Sequence, residues 1–201
     1  RHVPISFLIE YKDEGRLIDQ RLGDFDDAAM QRMDDDVRAV FGEKLITPDD
    51  VRGDAETLEA AVLSRGWPTL ESTRGKVFFI LHERGINREH YVADHPSLRG
   101  RAMFLNSEPG QPYAATVARD NPNAKDLEDL VRKGYWVRST GHGGEARRDT
   151  AFARGAHIVS TDYPPGSPHP ETGFMVELPG GVPARCNPIS APPDCGEKSL
   201  E

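Results

Sequence analysis

The sequence predicts an α/β fold of short, buried, parallel strands separated by helices, with chemistry gathered at the strand ends. Three observations predict it. Five apolar runs, 5–10, 76–81, 101–105, 135–139 and 157–161, are near-continuous rather than alternating, as strands covered on both faces are. Segments of helical periodicity lie between them, so strand and helix alternate. Each run then stops in polar residues.

The first strand is "ISFLIE" (5–10). Residues 26–41 place Met30, Met33, Val37, Val40 and Phe41 at helical spacing, with acids on the other face. That stripe predicts a helix packed on a core. "KVFFIL" (76–81) and "RAMFL" (101–105) are the next strands. Residues 123–134 have Asn123 as a candidate N-cap, acids early, Arg132 and Lys133 late, and Gly134 past the end. "YWVRS" (135–139) follows, then a second helix of the same design over 145–155, ending at Gly155. "HIVST" (157–161) is the last strand, and Pro164 stops the run. The remainder is rich in Pro and Gly and predicts a hairpin-like extension over 166–201, packed on the domain formed by residues 1–165.

Composition narrows the function. The 201 residues include 19 glycines and 16 prolines, and 37% are hydrophobic, so turns and long loops are expected. The net charge is -8, which argues against a nucleic-acid partner and against lipid adhesion by charge alone. No apolar run reaches the length of a membrane span. Cys186 and Cys195 are the two cysteines. Nine residues apart, they can close a small loop in an oxidising compartment or stand as two thiols in a loose tail; the bonded form is the expectation.

No Gly-rich phosphate loop follows any strand, as a nucleotide-binding sheet often shows. The strand ends instead carry Glu10, His82 and Glu83, Asn106 to Glu108, Arg138 to Thr140, and Thr161 with Asp162. One such end is ordinary turn chemistry. Five of them fit a (β/α)8 barrel, whose strand C-termini converge on the face that carries the site.

The stretches "FLIEYKDE", "KLITPDDVRG", "GWPTLESTRGKVFFIL", "RAMFLNSEPGQP", "LVRKGYWVRST", "GAHIVSTDYP" and "LPGGVPARCNP" resemble the calcium-dependent phosphatidylinositol-specific phospholipase C-like proteins of bacteria and fungi. The resemblance runs from about residue 4 to 195. It implies a TIM-barrel phosphodiesterase fold of which this chain is the C-terminal portion, about five of eight β/α units. The family's "HNSY"-like histidine, its Glu-x-Asp metal pair and its second histidine have no counterpart in the sequence.

Residue by residue, the resemblance implies that Glu10, at the end of "FLIE", ligates Ca2+, which prefers hard oxygen donors. It implies head-group or phosphate contacts for Lys12, Ser107 and Arg138, the last through a guanidinium suited to bidentate contact. Asp162 is expected to orient a catalytic histidine or to meet the head group. His82, at a strand end, and His142, between glycines, are read as packing and loop residues. The implied reaction is attack of the inositol 2-hydroxyl on phosphorus, giving a cyclic inositol phosphate and a free alcohol. The implied substrate is a phosphoinositide or another phosphodiester, met by transient contact with a lipid surface, in a secreted or cell-surface protein. A glycerophosphodiester-type phosphodiesterase and a catalytically dead binding barrel are the alternatives. The chain by itself is expected to be inactive.

Overall fold

The computed structural model describes residues 1–11, 25–196 and 200. Among them six strands form two three-stranded sheets, and every strand pair is parallel. The chain divides into two compact units, Arg1–Ala115 and Thr116–Glu201, with one sheet in each. The α/β expectation with parallel strands therefore holds in both.

The first unit runs β1 (Ile5–Ile9), α1 (Asp27–Phe41), α2 (Pro48–Arg52), α3 (Leu58–Ser64), α4 (Leu70–Thr73), β2 (Val77–Leu81), α5 (Gly85–Val92) and β3 (Phe104–Leu105). Its sheet order is β1-β2-β3. All five residues of the central β2 are buried. The expectation that every strand is covered on both faces fails for β1, where Ile5, Phe7 and Leu8 are exposed, Phe7 to 40%. β1 is one edge of this sheet, with β2 as its pairing partner among the described residues, and the other edge, β3, is buried. The Phe7 ring still stacks on Phe79, with centroids 5.0 Å apart.

α1 forms where its periodicity predicts and is capped by Asp26, whose carboxylate accepts from the Ala29 N–H at 2.8 Å. Its buried face differs from the expected stripe. Val40 is 75% exposed, whereas Asp34 is fully buried beside Met30. Asp34 is tolerated because it is saturated with donors. Its Oδ1 accepts from the Tyr91 hydroxyl (2.7 Å) and the Ala102 N–H (3.1 Å), and its Oδ2 from Arg101 Nη1 (3.3 Å). Burial pushes its pKa up, and these donors pull against that. The same cluster shortens the strand predicted over 101–105 to Phe104–Leu105. The Ala102 and Met103 N–H groups are spent on Asp34 and on the Tyr91 hydroxyl rather than on a neighbouring strand.

α2 and α3 are absent from the prediction, although their start signals are present. Thr47 and Asp50 form a capping box around Pro48, and the Thr57 hydroxyl accepts from the Ala60 N–H. Both helices are short, five and seven residues, so neither repeats the helical period often enough to stand out as a stripe.

The second unit runs β4 (Thr116–Ala118), α6 (Leu127–Lys133), β5 (Trp136–Thr140), α7 (Glu145–Ala153) and β6 (Ile158–Ser160), in sheet order β4-β5-β6. β4 was not predicted, because Thr116, Val117 and Ala118 follow two alanines and stop at Arg119, which leaves no run of bulky β-rich residues to read. α6 starts later than Asn123 suggests. The Asn121 side chain accepts from the Asn123 N–H at 3.0 Å, which makes a turn there. Gly134 closes the helix at φ +100°, as expected.

The hairpin expected in the tail does not form: no strand occurs among the described residues after Ser160. Residues 163–176 fold back as a loop, with the Val176 N–H donating to the Tyr163 carbonyl at 2.9 Å and Tyr163 beside His169 and Phe174. The many prolines remove the donors that a hairpin ladder needs. Cys186 and Cys195 are bonded to each other. Beside them Asn187 donates to the Gly155 carbonyl at 2.8 Å, and Arg185 donates to the Phe152 carbonyl. The bonded loop thus covers the C-terminal end of α7. Gly155 is required there: its φ is +76°, and a Cβ would stand 2.7 Å from Ile189 Cγ1.

Candidate functional site

Parallel pairing puts the C-terminal ends of the three strands of a sheet on one edge. In the first unit the register aligns Ile9 with Leu81 and Leu81 with Leu105. The ladder continues one step further, His82 N–H to Ile9 carbonyl at 2.7 Å and Asn106 N–H to Leu81 carbonyl at 2.9 Å. Glu10, His82 and Asn106 therefore end their strands side by side. His82 Nε2 lies 4.0 Å from Glu10 Oε1, with the Glu10 side chain 42% exposed and that of His82 mostly buried. Ser107, one residue on, is buried. Lys12 lies outside the described residues.

Glu83 has structural work here. One carboxylate oxygen accepts from the Tyr11 N–H and the other from Asn87 Nδ2, so it ties the end of β1 to α5. Tyr11 is buried, and burial together with Asp34 and Glu83 raises its pKa above the ordinary phenol value.

Ca2+ takes six to eight oxygen ligands. Glu10 fits as one donor, being a half-exposed carboxylate at a strand end. The described residues hold no group of three or more His, Cys, Asp or Glu side chains that could bind a metal ion.

The second unit presents a denser polar edge. The register aligns Ala118 with Arg138, Arg138 with Ile158 and Thr140 with Ser160. Arg138 is largely buried, with its side chain 17% exposed. Its Nε donates to Ser160 Oγ at 2.8 Å and its Nη1 to Asp120 Oδ1 at 2.6 Å. Asp120 follows β4, and its own carbonyl accepts from Thr140 Oγ1 (2.7 Å) and from Arg147 Nη2 (2.6 Å). Arg147 Nη2 also donates to Thr140 Oγ1 at 3.0 Å. Two guanidiniums, one from β5 and one from α7, thus meet at Asp120. The sequence reading gave a role to Arg138 but none to Asp120, Thr140, Arg147 or Ser160. Arg147 is visible in the sequence only as one of several charges on a helix, and Asp120 follows a strand too short to read.

Asp162 is exposed, two residues past Ser160, the last residue of β6. His142 is also exposed, in a loop where Gly143 and Gly144 both have positive φ. His157 is a different kind of histidine. Its ring stacks on Trp136 at 4.7 Å, its Nδ1 accepts from the Val137 N–H at 3.1 Å, and burial pulls its pKa down to about 4. It is held neutral as a packing group. An open depression of about 510 Å3 lined by Arg38, Asp50 and Lys76 lies at the start of β2, the opposite end from Glu10 and His82.

A family model described as phosphoinositide phospholipase C, Ca2+-dependent, matches residues 1–188. Among solved structures, the chain is similar to a Ca2+-dependent phosphatidylinositol-specific phospholipase C from Streptomyces antibioticus. Identity there is 20% and the TM-score 0.58, over 80% of this chain and 64% of that one. It is also similar to a calcium-dependent phosphoinositol-specific phospholipase C from Pseudomonas sp, at 17% identity and a TM-score of 0.52, over 70% of this chain and 53% of that one. The chain thus covers less than two thirds of the length of these structures. No curated protein matches it.

Proposed function

Since this chain belongs to the family of Ca2+-dependent phosphoinositide phospholipases C, we propose that it works as part of a phosphoric diester hydrolase acting on phosphoinositides. The observation that carries this reading is the family match along residues 1–188. The six strands are read as later β/α units of a TIM barrel. Support comes from the parallel pairing within each sheet and from the fold shared with the Streptomyces enzyme.

The residues divide the work by chemistry. Arg138 is the phosphate contact. Ser160 and Asp120 occupy its Nε and one Nη1 position, which fixes the plane of the guanidinium and leaves the Nη2 edge for a phosphate oxygen. Such a contact gains strength from burial, because water competes less for the same donors. Ser107 is a candidate head-group contact, a hydroxyl able to donate and to accept. Lys12 is retained as a phosphate contact from the sequence reading alone. Asp162, exposed beyond β6, is placed toward the head group or as an orienting carboxylate. Glu10 supplies one carboxylate toward Ca2+, with further oxygens needed to complete a site.

Secretion or display at the cell surface is part of the same proposal. The Cys186–Cys195 bond supports it. No helix among the described residues is long and apolar enough to cross a membrane. Contact with a lipid surface is proposed to be transient. The test is to incubate the full-length gene product carrying this sequence with phosphatidylinositol and with glycerophosphodiesters, with and without Ca2+. Ca2+-dependent release of cyclic inositol phosphate is expected. Turnover of glycerophosphodiesters without a cyclic product would favour the other phosphodiesterase class. Head-group binding with no turnover of either substrate would favour a binding module.

A further inference from the structure

We propose that Asp120 sets the charge preference of the Arg138 site, admitting a singly charged phosphodiester over a doubly charged phosphomonoester, and that Arg147 holds Asp120 in place. The proposal rests on the reading of Arg138 as the phosphate contact.

The geometry is specific. The Asp120 carboxylate lies 2.6 Å from Arg138 Nη1, yet its side chain is 57% exposed. It stands at the solvent side of a guanidinium that is otherwise mostly buried. Its backbone is fixed from behind. The Asp120 carbonyl receives Thr140 Oγ1 and Arg147 Nη2, and Arg147 is itself braced on Thr140 Oγ1. β5 and α7 thus hold the backbone of Asp120, in the residues after β4, through its carbonyl, while Arg138 of β5 takes its carboxylate. This is more than a surface pair needs.

The group carries two guanidiniums and one carboxylate, a single net positive charge. A phosphodiester carries one negative charge near neutral pH, and a phosphomonoester carries close to two. Coulomb energy scales with the charge of the ligand. The repulsion between Asp120 and a dianion is therefore about twice that with a monoanion in the same place. Neutralising Asp120 should raise the affinity for the monoester by about the square of the factor gained by the diester. If the diester gains about 3-fold, the monoester gains roughly 10-fold, and their ratio moves by about 3-fold. The difference should shrink as salt is added, because half of the carboxylate is open to solvent.

The test uses the full-length gene product in Ca2+-free buffer with a chelator, so that no diester is consumed. Binding of glycerophosphoinositol (a diester) and inositol 1-phosphate (a monoester) is followed by NMR titration at pH 8. Asp120→Asn keeps the shape and an acceptor for Arg138, so folding is not at issue. It should strengthen binding of both ligands, and of the monoester more. Arg147→Lys keeps the charge but cannot serve Asp120 and Thr140 as a fork does. It should move the monoester-to-diester ratio in the same direction, by less. Arg138→Ala separates the two layers of the argument. If it leaves both affinities unchanged, the reading of Arg138 fails. If it weakens both while Asp120→Asn leaves the ratio unchanged, Arg138 stands and the role of Asp120 is overturned. An unchanged ratio in Arg147→Lys removes Arg147 as the positioning residue.

Discussion

Arg138 shows how much one side chain can be asked to do. Its Nε and Nη1 are bonded to Ser160 and Asp120, and a lysine ammonium cannot reproduce that fork. Arg138→Lys in the full-length gene product is expected to lose turnover by about 10- to 100-fold, on the order of 1.5–3 kcal/mol for a charge-assisted contact. Wild-type turnover in the lysine variant would show that the guanidinium is not needed for the phosphate contact. Glu10 makes a separable prediction. Glu10→Gln keeps the volume and removes the charge, so the Ca2+ concentration needed for half-maximal activity should rise. An unchanged Ca2+ titration would take Glu10 out of the metal site. His157 predicts a pH dependence of stability. The unfolded imidazole titrates near 6.5, whereas burial holds the folded one to about 4. Between those values the unfolded chain binds a proton that the folded one refuses. Stability contributed by the neutral ring is therefore complete above about pH 6.5 and falls as the pH drops toward 4, by on the order of 3 kcal/mol. Chemical denaturation of wild type and His157→Gln at pH 7.5 and pH 4.5 checks it. The glutamine variant should lose less stability over that interval, and equal losses would show that His157 is not the group responsible.

α1 and the tail are each fastened by chemistry that hydrophobic pattern alone does not describe. Asp34 of α1 is joined to Tyr91 at the end of α5 and to Arg101 ahead of β3, and Arg101 lies 4.5 Å above the Tyr91 ring. Asp34→Ala would leave the Arg101 charge buried without its carboxylate. A loss of about 3–5 kcal/mol follows, read as a fall in unfolding free energy. A loss below about 1 kcal/mol would mean that Arg101 reaches water once Asp34 is gone. In the second unit the bonded loop sits on the end of α7 through Asn187 and Arg185. Cys186→Ser with Cys195→Ser should cost about 2–3 kcal/mol on the chain-entropy model for so short a loop. Protection of the amides near Phe152 and Gly155 from hydrogen exchange should fall with it. Unchanged protection there would show that the loop holds α7 without the bond.

The complete catalytic apparatus belongs to a larger scale than these elements. Among the described residues no three potential metal ligands gather, His142 is exposed in a glycine-flanked loop and His157 is held neutral. The chain covers 64% of the Streptomyces structure's length. From the resemblance, whose histidine motif has no counterpart in this sequence, we propose that the 201-residue chain by itself shows no turnover of phosphatidylinositol with or without Ca2+, since a positioned general acid–base is worth about 10²–10⁴-fold. Turnover by this chain would promote His82, 4.0 Å from Glu10, to the acid–base role. The exposed Ile5, Phe7 and Leu8 on edge strand β1 further predict self-association, since an apolar edge invites pairing. A single monomeric species at high concentration in sedimentation velocity would count against it.

Elements with local signals were legible in consecutive residues. Continuous apolar runs placed β2, β5 and β6 to within a residue or so at each end, and Gly134 stopped α6, while the nine-residue spacing of the cysteines allowed the bond that the structure holds. The sequence also placed polar residues at the strand ends, because strand length and turn chemistry are written in consecutive residues. Burial of Asp34, exposure of Val40 and of β1, and the loss of the tail hairpin were not legible. Each depends on what another part of the chain brings to that position. The meeting of Asp120, Arg138 and Arg147 belongs to the same class. Their side chains come from three elements, and only strand register and helix placement bring a carboxylate within 2.6 Å of one guanidinium. A periodic pattern records which face a residue prefers. It carries no record of which distant charge will stand opposite, and that is decided when the sheet pairs.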